Sequence, residues 1–142
     1  MSLSRRELCL MLPALLAALP ADSGPDAPLP SRMYRFQDLP VHGHAGSRSR
    51  PVLNGETHTG FHIELHETEL APGARPHPPH HHTHEEIFLI REGAVEVTIT
   101  GKSSRLGPGS VAYVASNAQH GIQNTGDVPA QYFVLALGTD HP

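Results

Sequence analysis

Four side chains have the residue types and the spacing of a metal site: His80, His82, Glu86 and His120. Three imidazoles and one carboxylate form a mixed nitrogen and oxygen donor set, which suits a divalent first-row metal ion. Mn and Fe fit this set best, and Ni, Co, Cu and Zn are also compatible with it. Such a set leaves coordination positions open on an octahedral ion, which is the property that distinguishes a catalytic or ligand-binding metal from a purely structural one.

The elements around the first three donors are expected to turn them toward one face. His80 and His82 are two residues apart, so on a strand both point the same way and His81 points to the other side. A bend then leads into a strand that begins at Glu86, and its parity places Phe88 on the same interior face. The fourth donor follows a turn and precedes a new strand. The spacing therefore predicts a metal site inside a folded sheet.

The chain around these donors has the pattern of short strands joined by tight turns. Apolar and polar residues alternate with a period of two in several segments, and glycine or proline punctuates the intervals between them. Strands are expected at residues 61–66, 86–91, 95–99, 111–114 and 130–137. The last of these is a long, mostly apolar segment and is expected to be buried on both faces. This regular pattern indicates an all-β sandwich or barrel.

Two spaced motifs in this region resemble those of single-domain, type-2 members of the cupin superfamily. The matching positions are Gly73, His80, His82, Glu86 and Gly93 in the first motif, and Gly109, His120 and Asn124 in the second. The resemblance covers roughly residues 60–137. It implies a jelly roll, or double-stranded β-helix barrel, in which the three histidines and the glutamate bind one metal ion.

The chain departs from the motifs at three places. One extra residue separates Gly73 from His80, Ala115 stands where the family usually has proline, and Asn117 stands where it usually has glycine. Asparagine tolerates a positive φ better than other non-glycine residues, so the turn at Asn117 is expected to form. The loss of the proline removes some preorganisation but no ligand.

Other histidines leave alternatives open. His77, His81 and His84 are either solvated or collect metal at the mouth of the site. A further alternative is that the whole proline- and histidine-rich tract is a flexible metal-scavenging segment, although the second motif then has no explanation. His62 lies on the polar face of its strand, which looks either into the cavity or toward an exposed or inter-subunit surface.

The first residues have the composition of an export signal. Arg5 and Arg6 precede a short apolar run at residues 8–19, and small residues end at Ala21. A charged start, a short apolar segment and a small-residue end are typical of a cleaved signal peptide, and the run is too short to span a membrane. The arginine pair resembles the twin-arginine motif, which implies export to the periplasm or beyond. The single cysteine, Cys9, lies in this segment, so no disulfide is expected.

These patterns divide the chain into a signal peptide (residues 1–21), an N-terminal spacer with an edge strand (22–59) and a cupin β-barrel (60–142). Within the spacer, residues 33–36 are expected to form the edge strand. Residues 42–50 are expected to form a flexible loop in which His42 and His44 are solvated.

Charge and composition restrict the function. A net charge of −4 without a basic cluster argues against a nucleic-acid partner. The metal centre is compatible with an oxygenase, isomerase or decarboxylase acting on a small molecule, although no residue stands out as a dedicated acid or base. It is also compatible with a non-catalytic module that binds a sugar or carboxylate, or with a metal that only stabilises the barrel. A homodimer is expected, with residues 33–36 and 130–137 as candidate contact segments.

Overall fold

The computed structural model describes residues 27–139, which form nine β-strands and one short 3-10 helix, Phe36–Asp38. The strands are β1 His42–His44, β2 Ser47–Glu56, β3 His62–Leu70, β4 Glu85–Glu92, β5 Val95–Ile99, β6 Lys102–Leu106, β7 Val111–Val114, β8 His120–Gln123 and β9 Ala130–Leu137. The proposed signal peptide and Cys9 lie outside the described residues. Within residues 27–139, no helix has the length and apolar character needed to cross a membrane.

The strands of the described region form two antiparallel sheets. One has the order β1-β2-β3-β9-β4-β7, and the other has the order β6-β5-β8. Strands distant in sequence become neighbours, because β9 pairs with β3 on one side and with β4 on the other. This all-β jelly roll confirms the predicted fold class.

The core lies between the inner faces of the two sheets. Alternate residues of β9 are buried and the others are half-buried, which agrees with the expectation that both faces of this strand are covered. Tyr132 and Val134 of β9 and Phe88 of β4 pack with Val97 and Ile122 of the second sheet. Burial of each large apolar side chain contributes about 1.5–3 kcal/mol, so this layer holds the two sheets together.

The predicted edge strand at residues 33–36 is wrong. The structure assigns no strand there, and Phe36 begins the 3-10 helix. The guanidinium carbons of Arg50 and Arg91 lie 4.8 Å and 4.0 Å from the centroid of the Phe36 ring. Cation–π packing of this kind is favourable without any strand pairing. The segment is therefore held against the sheet by its aromatic side chain rather than by backbone hydrogen bonds along an edge.

The predicted flexible loop at residues 42–50 is also wrong, since these residues form β1 and the beginning of β2. Pairing of β2 with β3 explains why this polar segment forms a regular strand rather than a flexible loop. Arg50 Nη1 donates a hydrogen bond to Glu67 Oε2 at 2.7 Å, and Arg48 forms an ion pair with Glu69. Polar side chains that find charged partners across two strands stabilise the pairing as apolar contacts would.

Two turns depend on residues that accept a positive φ. Gly93, between β4 and β5, has φ 66°, and a Cβ atom there would lie 2.5 Å from the carbonyl oxygen of Pro129. Asn117, in the turn before β8, has φ 60°, as its tolerance for this conformation predicts. The substitution of the family's glycine by asparagine thus leaves the turn intact.

Asn124, which follows β8, forms hydrogen bonds with the end of β3 and with the loop before β9. Its side chain is fully buried, and its Nδ2 donates to the carbonyl oxygens of Leu70 at 3.0 Å and Val128 at 2.8 Å. Its Oδ1 accepts a hydrogen bond from the backbone N–H of Gly126 at 2.9 Å. The side chain therefore satisfies three backbone groups at once.

We expect Asn124→Ala to lower the free energy of unfolding by about 2–3 kcal/mol, because buried backbone groups lose their partners. Urea unfolding followed by circular dichroism measures this change. Gln119→Ala is the matched control, since Gln119 is exposed and only its backbone carbonyl is hydrogen-bonded. A loss for Asn124→Ala no larger than that of the control would contradict this role.

Candidate metal centre

Backbone pairing brings the two motifs together. His80 and His120 form an isolated antiparallel bridge, in which each N–H donates to the other residue's carbonyl at 3.0 Å and 2.9 Å. The N–H of Asn117 donates to the carbonyl of His82 at 2.8 Å. The segment from His80 to His82 is therefore not the regular strand that the sequence predicts, but it lies beside β8, and His81 is exposed as expected.

The four predicted donors converge. One ligand atom from each of His80, His82 and His120 lies within 4.8 Å of the corresponding atoms of the other two. Glu86, whose strand β4 also carries the buried Phe88 as predicted, reaches the same place. Its Oε2 lies 3.2 Å from His120 Nε2, and its Oε1 lies 3.4 Å from His82 Nε2. We call these four side chains the donor cluster.

Hydrogen bonds to the backbone set the orientation of two imidazoles. The Nδ1 of His82 lies 2.8 Å from the carbonyl oxygen of His84, and the Nδ1 of His120 lies 2.9 Å from that of Ala118. Because a carbonyl oxygen only accepts, Nδ1 carries the hydrogen in both rings. A neutral ring then presents the lone pair of Nε2, which is the arrangement that metal-ligating histidines adopt.

Two ring nitrogens of the donor cluster lack protein partners. His82 Nε2 and His80 Nδ1 are buried and have no hydrogen-bond donor or acceptor among residues 27–139. Burial, followed by the neighbouring histidines, lowers the pKa of His80 and keeps its ring neutral. Two acceptors such as His120 Nε2 and Glu86 Oε2 repel each other at 3.2 Å unless a proton or a cation lies between them. The residues present therefore fit a divalent cation.

Two more histidines touch the cluster. The ring of His84 stacks on that of His82 with centroids 3.6 Å apart, and its Nε2 lies 3.3 Å from Glu86 Oε1. The exposed His77 meets the ring of His80 edge-on, with centroids 4.2 Å apart. The sequence left open whether each is solvated or collects metal at the mouth of the site, because each lies in a bend, where strand parity does not apply. The spacing of two between His82, His84 and Glu86 was the available signal.

A cavity of about 390 Å³ opens beside the donor cluster. Glu86 and His120 form part of its wall, which connects the candidate metal site to the cavity. Polar groups from other strands also line it, among them His44, His66, Thr68 and Tyr132. The polar face of β3 thus looks inward at His66 and Thr68. His62 does not line this cavity, and its Nε2 lies 2.8 Å from Asn54 Oδ1.

Two of these polar residues are suited to proton chemistry. His66 Nδ1 lies 3.2 Å from Glu64 Oε1, which gives an imidazole supported by a carboxylate. Tyr132 is 1% exposed, and burial raises the pKa of its hydroxyl well above the usual range, so it stays protonated at neutral pH. Neither residue stood out in the sequence, because the inward face of β3 and the location of the cavity were not known from the pattern.

Comparisons with known proteins agree with this architecture. The chain is 30% identical over 84 residues to an uncharacterized protein of Methanocaldococcus jannaschii, covering 59% of this chain and 67% of that protein. It is 29% identical over 112 residues to a dimethylsulfoniopropionate lyase of Ruegeria pomeroyi, covering 75% of this chain and 73% of the relative.

A solved structure shows the same fold. The crystal structure of a predicted oxalate decarboxylase from Thermotoga maritima aligns with a TM-score of 0.67 at 19% identity, covering 76% of this chain and 100% of that one. In addition, residues 66–136, half of the chain, match the Cupin domain family, and this segment contains the whole donor cluster. On the motifs, the jelly roll and this match together, the chain belongs to the cupin superfamily.

Proposed function

We propose that this protein is a metal-dependent enzyme that splits or isomerises a small carboxylate-bearing molecule without net oxidation. His80, His82, Glu86 and His120 hold one divalent ion, with Mn or Fe favoured by the donor types and Ni, Co, Cu or Zn also compatible. The observation that carries this proposal is that His66, supported by Glu64, lines the same cavity as Glu86 and His120. A proton-transfer group and a candidate Lewis-acid site thus line one cavity.

The metal and the protein have separate tasks in this scheme. A divalent ion bound by the donor cluster supplies a Lewis acid that binds and polarises an anionic substrate group. His66 takes the proton from the carbon next to the carboxylate through the ring nitrogen that does not face Glu64. The electron pair of that C–H bond forms a carbon–carbon double bond, and the leaving group departs with the pair of its own bond. Glu64 holds the ring and offsets the positive charge that it acquires.

The remaining wall of the cavity orients the substrate. Tyr132 keeps its proton, so its hydroxyl serves as a hydrogen-bond donor rather than as a base, and it interacts with Thr68. Phe88, Ile122 and Val134 give the wall an apolar part that would contact the carbon skeleton of the substrate. A volume of about 390 Å³ is in the range of small-molecule sites. Elimination of this kind is also consistent with the lyase named among the relatives.

We expect the purified chain to bind one Mn(II) ion near neutral pH and to lose at least about 100-fold in affinity in His120→Ala, since loss of outer hydrogen-bond partners alone costs roughly 10–100-fold. Elemental analysis and titration calorimetry measure this. Metal at 100 times the wild-type Kd should raise the free energy of unfolding by about 2.7 kcal/mol in the wild type and by much less in His120→Ala. His81→Gln, exposed in the same tract, is the control. Equal binding by His120→Ala would exclude the donor cluster as the site.

We expect His66→Gln to lower kcat by about 10²–10⁴-fold, the usual contribution of a general base, while metal content stays the same. The measurement is product formation from dimethylsulfoniopropionate and other β-substituted propionates, which carry the C–H bond that the step breaks, with an oxygen electrode in parallel. His58→Gln, exposed in the turn between β2 and β3, should behave like the wild type. Oxygen consumption during turnover would favour an oxygenase. Binding of these molecules without any turnover would favour a non-catalytic binding module.

We further propose export through residues 1–21 and a homodimer, both of which remain predictions from the sequence. The structure adds a surface for the dimer, because Leu89, Val111 and Tyr113 on β4 and the edge strand β7 are 45%, 54% and 54% exposed. Light scattering during gel filtration should give twice the monomer mass for the wild type and the monomer mass for Val111→Glu. Lys102→Glu, at an exposed position on the other sheet, is the control. A monomeric wild type would end the proposal of a dimer.

A further inference from the structure

A second, smaller pocket lies on another side of the donor cluster. It has a volume of about 200 Å³ and is lined by His62, Glu64 and His84, together with Ala136, Gly138 and Thr139. Among the described residues, it shares no lining side chain with the larger cavity. The side chain of Glu64 is 47% exposed, whereas that of His84 is only 18% exposed. The pocket therefore leads from a solvated carboxylate to a half-buried imidazole.

His84 connects this pocket to the donor cluster. Its Nε2 and the Nε2 of His82 lie 3.3 Å and 3.4 Å from the same oxygen of Glu86. Ligand atoms of His82, His84 and Glu86 lie within 4.8 Å of one another, as do those of His80, His82 and His120. Two groups of three donors thus overlap at His82. One includes His84, which lines the smaller pocket, and the other includes the buried His120.

A cation needs such a series of donors to reach the cluster. The side chains of His82, Glu86 and His120 are only 9%, 13% and 2% exposed. Moving a bare ion from water into so buried a place is very costly unless protein donors replace its hydration shell step by step. Glu64 at the opening and Glu86 at the end also attract a cation.

We propose that His84 is a transit ligand for the metal ion. The ion enters at the pocket lined by His62 and Glu64, is held by His84 with His82 and Glu86, and then exchanges His84 for His80 and His120. This inference rests on the proposed function, because it requires that the donor cluster holds a metal ion. It also gives the two openings different tasks, since the larger cavity is left to the substrate.

The rates of metal uptake and release test this proposal. The metal-free full chain is mixed with Co(II), whose visible absorption reports binding, and the loaded chain is then mixed with excess chelator. His84→Phe keeps a flat ring against His82 but removes the donor. We expect both rates to fall by about tenfold with an unchanged Kd, because removal of an intermediate raises the same barrier in both directions. His81→Gln, an exposed neighbour, and His77→Phe, at the larger cavity, should retain wild-type rates.

Other outcomes would overturn the inference in distinct ways. A raised Kd with faster release and unchanged uptake would make His84 a resident ligand. Slower uptake in His77→Phe but not in His84→Phe would place entry at the larger cavity. Should His84→Phe not fold, the pair His62→Gln and Glu64→Gln must slow uptake for the proposal to stand. A wild type that binds Co(II), with all variants alike, refutes only the transit ligand, whereas a wild type that binds no ion refutes the proposed function itself.

Discussion

The site depends on the two backbone hydrogen bonds between His80 and His120. They join a segment without regular secondary structure to the beginning of β8, and so place imidazoles from two distant parts of the chain in one interior. Buried acceptors repel one another, so these bonds and the core beneath them must hold the cluster together when no cation is bound. The surrounding jelly roll supplies that stability through the apolar layer between its sheets.

The four donors could be predicted because their chemical types are unusual and their spacing is regular. The alternation with a period of two predicts that Glu86 and Phe88 point to the interior, and the second motif identifies His120 as the fourth donor. The contacts of His77 and His84 could not be predicted in the same way, because bends have no fixed periodicity. His66 could not be assigned either, since alternation in β3 separates two faces without saying which of them is inside.

The N-terminal strands were missed for a different reason. The segment Ser47-Arg48-Ser49-Arg50 does alternate, but between small polar and charged residues rather than between polar and apolar ones. In the structure Ser47 and Ser49 line the cavity, while Arg48 and Arg50 pair with carboxylates of β3 on the other face. Those partners follow in the next strand, so the pattern identifies a strand only when the pairing is known.

The contact of Phe36 with Arg50 and Arg91 has a consequence for how short this chain can be made. The two arginines belong to β2 and β4, and β3 and β9 lie between these strands, so the aromatic ring acts as a clasp across the back of the sheet. A chain trimmed to begin at residue 60 loses the clasp, two strands and the arginine that neutralises the buried Glu67. The segment before residue 60 is thus part of the folded domain. Trimming it leaves the Glu67 carboxylate without the charge of Arg50.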